Sequence, residues 1–321
     1  MQTILVAGGA GFIGSHLCEQ LLNKNYQVIC VDNLLTSNKR NIENLLQNKN
    51  FTFIETDIVS QLSPVKSQLS NISYIFHLAS PASPNAHSKR SYIAYPIETL
   101  QVNSVGTNNL LELAEENNAR FVYASTSEVY GDPAISPQPE SYFGNVNPNG
   151  IRSVYDEGKR FGEAMTMAYV RTFAIDARIV RIFNTYGPKM LADDGRVVSN
   201  FIVQSLQNKP LTIYGDGSQT RSFCYVSDMV EGLQNAMFTD TIQGEVINLG
   251  NPTEHTIAEF AEIIKQLTGT KAKIVNEILP ADDPKQRKPD ITKAQKILHW
   301  EPKVKLEEGL KKTIEYFRSN N

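Results

Sequence analysis

The stretch "VAGGAGFIGSHL", Val6–Leu17, constrains the fold more than any other part of the chain. Gly8, Gly11 and Gly14 fall at GxxGxxG spacing, directly after the apolar run "TILVAG" and at the start of a run with helical apolar spacing. The first glycine permits a tight strand-to-helix turn. The second lets backbone approach a pyrophosphate, and the third allows close helix–strand packing. The helix N-terminus then offers unpaired N–H groups and the positive end of a dipole to phosphates. A glycine triplet alone is a weak signal, but its context adds to it. Asp32 closes the next strand-like run, "YQVICVDN", about twenty residues on, where an acid accepts from ribose hydroxyls. Such an acid repels a 2′-phosphate, so the pattern predicts NAD rather than NADP.

Alternating elements follow. "FTFIETDI", "YIFHLAS" and "RFVYAST" are short apolar runs, separated by amphipathic stretches such as "VNSVGTNNLLELAEENN". Apolar runs alternating with amphipathic helices predict a parallel sheet covered on both faces. The expected fold class is α/β: a Rossmann-type doubly wound parallel sheet with a smaller mixed α/β lobe. A long helix is expected from about Tyr155 to Phe173, and a strand in "DARIVRIFNTYGP". Beyond it Gly and Pro become frequent, as in "KPLTIYGDGSQTRSF". The expected division gives 1–183 to the dinucleotide-binding domain, with a returning segment near 223–250 that includes "GEVINLGN". Residues 184–222 and 251–321 form the second lobe.

Composition excludes several other classes. The net charge of -3 gives no polybasic footprint for nucleic acid. Cys18, Cys30 and Cys224 are odd in number and form no CxxC or Cys/His grouping, which predicts reduced packing residues of a cytoplasmic protein. No basic n-region opens the chain and no apolar run is long enough to span a bilayer, so neither a signal peptide nor a membrane anchor is expected. His16, His77, His87, His255 and His299 show no metal-ligand spacing, and no metal site is expected. His16 and the single tryptophan, Trp300, read as packing residues.

Two further stretches carry chemistry. "YDEGK" sets Tyr155 and Lys159 four residues apart, on one face of the expected helix. A nearby ammonium favours a phenolate and brings the phenol toward a working range as a base. "YASTSEVYGDP" delivers Thr126, Ser127 and one acid, Glu128, to the carboxyl end of a strand, where ligands bind in such sheets.

The chain resembles the extended short-chain dehydrogenase/reductase family of nucleotide-sugar epimerases, dehydratases and decarboxylases. The resemblance covers almost the whole length. It rests on "HLASPASP", "ASTSEVYGDP", "VNPNGIRSVYDEGKR", "RIFNTYGP", "DGRVVSNFI", "PLTIYGDGSQTRSFCYVSD", "NLGNPTEHTI" and "DDPKQRKPDI". "STSEVYGDP" with "GSQTRSF" narrows it to the branch that decarboxylates UDP-glucuronate. The resemblance implies that Gly11, Phe12, Ile13, Asp32, Asn33, Thr36, Asp57, Ile58, Leu78, Ser80, Tyr155 and Lys159 contact NAD, along with Gly8 and Gly14 of the loop. It also implies a homodimer pairing the helices near Val102–Glu115 and Tyr155–Phe173. Two features depart from the family. The segment "NAHSKRSYIAYPIETL", containing Tyr92, is a few residues longer and is expected to run beside the substrate. Ser37 stands where a glycine is usual.

In this family Tyr155 is expected to take a proton from the sugar 4-hydroxyl while NAD oxidises C4. A 4,6-dehydratase needs an Asp to expel the 6-hydroxyl, and Ser127 stands at that position. A 4-epimerase needs only rotation of the keto sugar, and usually lacks an acid at Glu128. A C6 carboxylate beside a C4 ketone is a β-keto acid, which loses CO₂ and then needs one proton at C5. Glu128 is the expected source, directly or through water, with Thr126 and Ser127 on the 4-oxygen. Arg221 is the expected partner of the hexuronate carboxylate, since its forked donors suit an anion. Tyr92, Asn184, Arg196, Tyr214 and Arg287 are the remaining expected substrate contacts. A dehydratase or epimerase is the alternative, and a non-catalytic NAD-sensing protein on the same fold is a third, opposed by the intact Tyr155, Lys159 and Glu128.

Overall fold

The computed structural model describes residues 1–60, 69, 71–85, 87–278 and 286–320. The chain begins with β1 (Thr3–Ala7), α1 (Phe12–Asn23), β2 (Gln27–Asp32), β3 (Phe51–Glu55) and β4 (Ile72–His77). Next come α2 (Pro96–Gln101), α3 (Thr107–Asn117), β5 (Arg120–Thr126), α4 (Ser153–Phe173) and β6 (Ala177–Ile182). The remaining elements are β7 (Thr185–Tyr186), α5 (Val197–Leu206), β8 (Leu211–Tyr214), β9 (Thr220–Ser222), β10 (Cys224–Tyr225), α6 (Val226–Phe238), β11 (Val246–Leu249), β12 (Glu254–Thr256), α7 (Ile257–Thr268), β13 (Ile274–Glu277), α8 (Thr292–Leu298) and α9 (Leu306–Asn320).

Seven strands form one parallel sheet in the order β11-β6-β5-β4-β1-β2-β3. Side-chain alternation explains why both faces are apolar. Ile4 and Val6 of β1 enter one buried cluster with Leu17 and Leu21 of α1 and Leu233 of α6. Leu5 and Ala7 enter the other with Leu110 and Leu111 of α3. The strand order reverses between β1 and β4, and the crevice at their carboxyl ends is where such sheets bind ligands. The Gly8 amide donates to Val31 O and the Leu78 amide to Ala7 O, both at 2.8 Å, so the three strand ends lie level around the glycine turn.

Two expectations change in detail. The stretch "DARIVRIFNTYGP" divides into β6 and β7, and β7 leaves the sheet to pair with β10. The run after Val102 is not one α-helix: α2 and α3 are joined by a π-helical turn, Val102–Gly106. A single π-turn of five residues inside a helical run is too short for apolar periodicity to resolve. Among the described residues, the C-terminal elements also pack against the sheet. Phe201 of α5, Phe260 of α7 and Phe317 of α9 belong to the same buried cluster as Ile4 and Val6.

Small residues set the approach of α4 to the sheet. A Cβ on Gly162 would lie 2.9 Å from Tyr123 Cε2 and collide with its hydroxyl. The absent side chain therefore lets the helix that carries Tyr155 and Lys159 lie directly on β5.

Candidate active site

The glycine turn is built as the sequence implies. Gly8 has φ +80°, and a Cβ there would meet Ala79 N at 2.6 Å and Ala79 Cα at 2.8 Å. A Cβ on Gly14 would overlap the Gly8 carbonyl and approach Gly9 Cα at 2.8 Å. Above them lies a cleft of about 670 Å³, solvent included, lined by Gly8, Gly11, Asp32, Asn33, Thr36, Asp57, Ile58, Leu78 and Ser80. All nine were expected cofactor contacts, gathered from four strand ends. Phe12 and Ile13 open α1 and pack on the first core cluster.

Asp32 sits at the rim in a defined orientation. One carboxylate oxygen accepts from the Ala10 amide (3.0 Å), the other from the Leu34 amide (2.9 Å) and Ser37 Oγ (2.7 Å). Burial pushes this carboxyl up, and these donors pull it back only in part. Ser37, the departure from glycine, thus supports Asp32 rather than displacing it. Asn33 Nδ2 donates to Asp57 at 2.9 Å and ties two further expected contacts together. A backbone cradle closed to any Cβ, an oriented acid at the second strand end and an apolar floor of Ile58 and Leu78 fit a dinucleotide.

Tyr155 and Lys159 both point inward from α4 and are buried. Their electrostatics differ from expectation. Burial pushes the Tyr155 phenol up to about 12, despite a hydrogen bond with Thr126 and the nearby Arg196 charge. Burial lowers Lys159 to about 7, with Glu163 opposing. Lys159 Nζ donates to Ala124 O at 2.8 Å and stands 6.0 Å from the centre of the Tyr155 ring. Desolvation thus raises the phenol and lowers the amine, while Thr126 and Arg196 pull the phenol part of the way back. Tyr92 stacks on the same ring, with centroids 5.0 Å apart and planes 6° from parallel. Its hydroxyl is buried without a hydrogen-bond partner among the described residues.

The longer segment around Tyr92 has a physical anchor. Ser83 Oγ donates to Asp194 O, Asn85 Nδ2 to Asp193 O (3.2 Å) and Ser88 Oγ to Asp193 Oδ2 (3.2 Å). Arg196 Nη2 donates to Ala82 O at 2.9 Å. The extra residues thus fasten to the turn preceding α5, and Ala86 lies outside the described residues.

At the end of β5, Thr126 Oγ1 accepts from the Glu128 amide at 3.2 Å and opens a 3₁₀ turn, Ser127–Tyr130. Glu128 keeps 17% of its side chain exposed and accepts from both Arg152 and Arg287, the latter at 3.1 Å. Arg287 Nη1 also donates to Ser127 O at 2.6 Å. Burial pushes the Glu128 carboxyl up, but Arg287, Arg152 and Arg221 more than offset this and hold it at about 2. Arg287, expected on the nucleotide, is only 1% exposed and is fixed under Glu128. Glu128, expected to supply the C5 proton directly or through water, is held as a carboxylate by these guanidiniums. Neither Arg287's partner nor Arg152's inclusion could be read locally: 159 residues separate Arg287 from Glu128.

The other expected residues are more dispersed. Arg221 adds its charge to Glu128 from β9, where it donates to Thr220 O at 2.9 Å. Asn184 lies between β6 and β7 and accepts through its carbonyl from the Cys224 amide at 2.9 Å. Tyr214 ends β8 with 40% of its surface exposed. The Asp282–Lys285 part of the last family stretch lies outside the described residues. Sequence reading missed Asn103, which sits fully buried in the π-turn and bonds Ser80 of the cleft lining. Its Nδ2 donates to Ser80 Oγ (2.9 Å) and Thr99 O (2.8 Å), and its Oδ1 accepts from Tyr123 (3.1 Å).

A glycine cradle, an oriented rim acid and a buried Tyr–Lys pair facing a Thr-Ser-Glu strand end define a dinucleotide-dependent enzyme of the short-chain dehydrogenase/reductase type. Residues 5–313 match the family described as GDP-mannose 4,6 dehydratase, and the chain belongs to that family. It is 51% identical over 315 residues to UDP-glucuronic acid decarboxylase 1 of Xenopus tropicalis, covering 98% of this chain and 72% of that one. It is 51% identical over 316 residues to UDP-glucuronic acid decarboxylase 5 of Arabidopsis thaliana, covering 98% and 89%. Among solved structures, a UDP-glucuronic acid 4-epimerase from Bacillus cereus in complex with UDP-glucuronic acid and NAD superposes with a TM-score of 0.88, at 33% identity and full coverage of both chains.

Proposed function

We propose that this chain converts UDP-glucuronate to UDP-xylose and CO₂, using bound NAD. The observation that carries this reading is the Ser127–Glu128 strand end clasped by Arg152 and Arg287 beside Tyr155. It offers fixed positive charge for an anionic sugar, and it puts Ser127 where expulsion of a 6-hydroxyl would need an acid. The decarboxylase names of relatives half identical over nearly the whole chain support it independently.

The cradle of Gly8, Gly11 and Gly14, with Asp32 at the ribose end, holds the dinucleotide. When bound, NAD accepts and later returns hydrogen at C4 with its electron pair. Tyr155 takes the proton of the 4-hydroxyl and gives it back to the same oxygen at the end. Thr126, already hydrogen-bonded to Tyr155, and Ser127 orient that oxygen. Once C4 is a ketone, the C5–C6 bond breaks and its electrons are held on the C4 oxygen as an enolate. Arg152, Arg221 and Arg287 supply the positive field around the departing carboxylate. Tyr92, Asn184, Arg196 and Tyr214 complete the sugar-nucleotide contacts in this reading. Ile97, Leu100 and Val105 from the α2 region and Phe161 on α4 are exposed apolar side chains, which supports a homodimer pairing these helices. Sedimentation of the purified protein tests that pairing. Among the described residues, no helix is long and apolar enough to cross a membrane.

Incubation of the purified protein with UDP-glucuronate tests the activity. CO₂ with a UDP-pentose supports it. UDP-galacturonate without CO₂ would favour the epimerase reading, to which the 4-epimerase of similar shape lends weight.

A further inference from the structure

Decarboxylation, if it is the reaction of this site as proposed above, changes the proton balance there. The C6 carboxylate leaves as CO₂, and C5 gains a hydrogen in its place. Tyr155 does not supply that proton, because the one it takes from the 4-hydroxyl returns to the C4 oxygen. One proton per turnover must therefore come from solvent and be held near C5. This requirement rests on the decarboxylase reading.

Few groups at the site can hold it. Glu128 accepts from Arg152 and Arg287 and stays ionised, and the guanidiniums do not release protons at working pH. Burial raises the phenol of Tyr92, which makes it a poor acid. Lys159 Nζ donates to the Ala124 carbonyl, against β5. Asp156 remains.

Asp156 follows Tyr155 in the first turn of α4 and is 6% exposed. Its Oδ1 is buried without a hydrogen-bond partner among the described residues. A buried ionised oxygen without a donor is costly, and a protonated carboxyl avoids that cost. The groups facing it come from three sides. Glu128 approaches from the 3₁₀ turn, Arg287 from the segment before α8, and Arg152, Tyr155 and Glu157 from its own helix or cap. Tyr92 faces it from the anchored segment. Burial is the largest influence and raises the carboxyl; Glu128 and Glu157 add to this, and Arg152 and Arg287 oppose it, leaving Asp156 at about 7. Two carboxyls in one cluster are thus driven apart, one ionised and one carrying a proton, which is the pattern that separates an acid from a charge-holder.

We propose that Asp156 is the proton-holding residue of the decarboxylation, delivering its proton to C5 through intervening water while Glu128 stays a carboxylate. The C5–C6 bond breaks, CO₂ leaves, and the electron pair forms the C4–C5 enolate. The new C5–H bond takes the Asp156 proton, and the Asp156 carboxylate is reprotonated from solvent. Asp156 does not touch the sugar and is a positioning residue in this sense.

Asp156→Asn and Asp156→Glu, assayed beside the wild type with UDP-glucuronate over pH and in D₂O, test this. The acid form of Asp156 is the active one, so wild-type kcat falls as pH rises through about 7. Asp156→Asn is expected to lower kcat by roughly 10²-fold with KM unchanged. It also removes that pH limb and spreads deuterium over both C5 positions of the pentose, where the wild type labels one. Asp156→Glu is expected to restore the limb and the single label. Wild-type kcat, limb and label in Asp156→Asn would overturn the proposal, as would a folded Asp156→Glu that behaves like Asp156→Asn. Should Asp156→Asn not fold, the Asp156→Glu result decides by the same criterion. A wild type that releases no CO₂ refutes the decarboxylase reading itself, separately from any result on Asp156.

Discussion

Replacing Glu128 by Gln removes the carboxylate bonded to a guanidinium that is 1% exposed. The size of the effect follows from the geometry. At 3.1 Å and an effective dielectric near 20, a unit pair interacts by about 5 kcal/mol before desolvation is counted. The drop of the Glu128 carboxyl from 4.5 to about 2 converts to about 3 kcal/mol. Breaking a buried pair from one side costs about 3–5 kcal/mol, because the remaining charge is left uncompensated. For a chain of 321 residues that corresponds to a melting temperature lower by roughly 4–7 °C. Gln can still accept one hydrogen bond from Arg287, so the lower end is expected. Differential scanning fluorimetry at neutral pH, with far-ultraviolet circular dichroism as a check on folding, reads this directly. The double variant Glu128→Gln/Arg287→Met should recover about 2 kcal/mol relative to Glu128→Gln alone, since it removes the stranded charge. The pair also predicts a pH dependence. Glu128 has its folded value depressed, so its contribution is complete above 4.5 and is lost as pH falls from there through about 2. A Glu128→Gln protein that melts within about 1 °C of the wild type, or a double variant less stable than the sum of its parts, would refute the account of Arg287 as a charge stabilised by Glu128.

Three further variants separate the roles at the site. Tyr155→Phe keeps the ring stacked on Tyr92 but removes the proton acceptor, and should lower pentose formation by roughly 10²–10⁴-fold without lowering thermal stability. Gly14→Ala places a Cβ 2.8 Å from Gly9 Cα and on the Gly8 carbonyl, so the purified protein should lose most of its bound NAD, measured by release on denaturation; full retention would contradict the cradle. Tyr92→Phe removes a buried hydroxyl that has no partner among the described residues, so stability should hold or rise slightly while KM for UDP-glucuronate rises about tenfold. An unchanged KM would separate that hydroxyl from the substrate.

What the sequence showed and what it hid divide by distance along the chain. Gly8, Gly11, Gly14 and Asp32 lie within one strand–helix–strand unit, where spacing determines geometry, and the cleft forms around that turn as expected. Tyr155 and Lys159 were legible because four residues on a helix fix a shared face. The bond from Arg287 to Glu128 was hidden because no local rule connects a charged stretch near the C-terminus with Glu128. The ion pair exists only because the segment before α8 returns over β5, a fact of topology. The π-turn that carries Asn103 was hidden for a different reason: five residues are too few to show a change of period. Tyr92 was singled out as a substrate contact, but its stacking on Tyr155 depends on bonds from Asn85 and Ser88 to a turn more than a hundred residues away.

The least legible property was charge state, since it depends on how much water burial removes. Sequence reasoning paired Tyr155 with Lys159 and expected the ammonium to activate the phenol. Burial works on both groups in the opposite sense, holding the phenol up and the amine down, so each favours its neutral form. The Ala124 carbonyl accepts from Lys159, which keeps the amine in place without using the phenol. A buried tyrosine in that setting is mostly protonated, and positive charge brought against it raises the share of phenolate able to take a proton. Arg196 is the cation that already lowers it, and Arg196 is itself held by the anchored segment through Ala82. The extra residues around Ser83–Ser88 therefore bear on the first proton transfer as well as on the fit of the sugar. Loosening that anchor should slow oxidation at C4 even where no residue touching the sugar has changed.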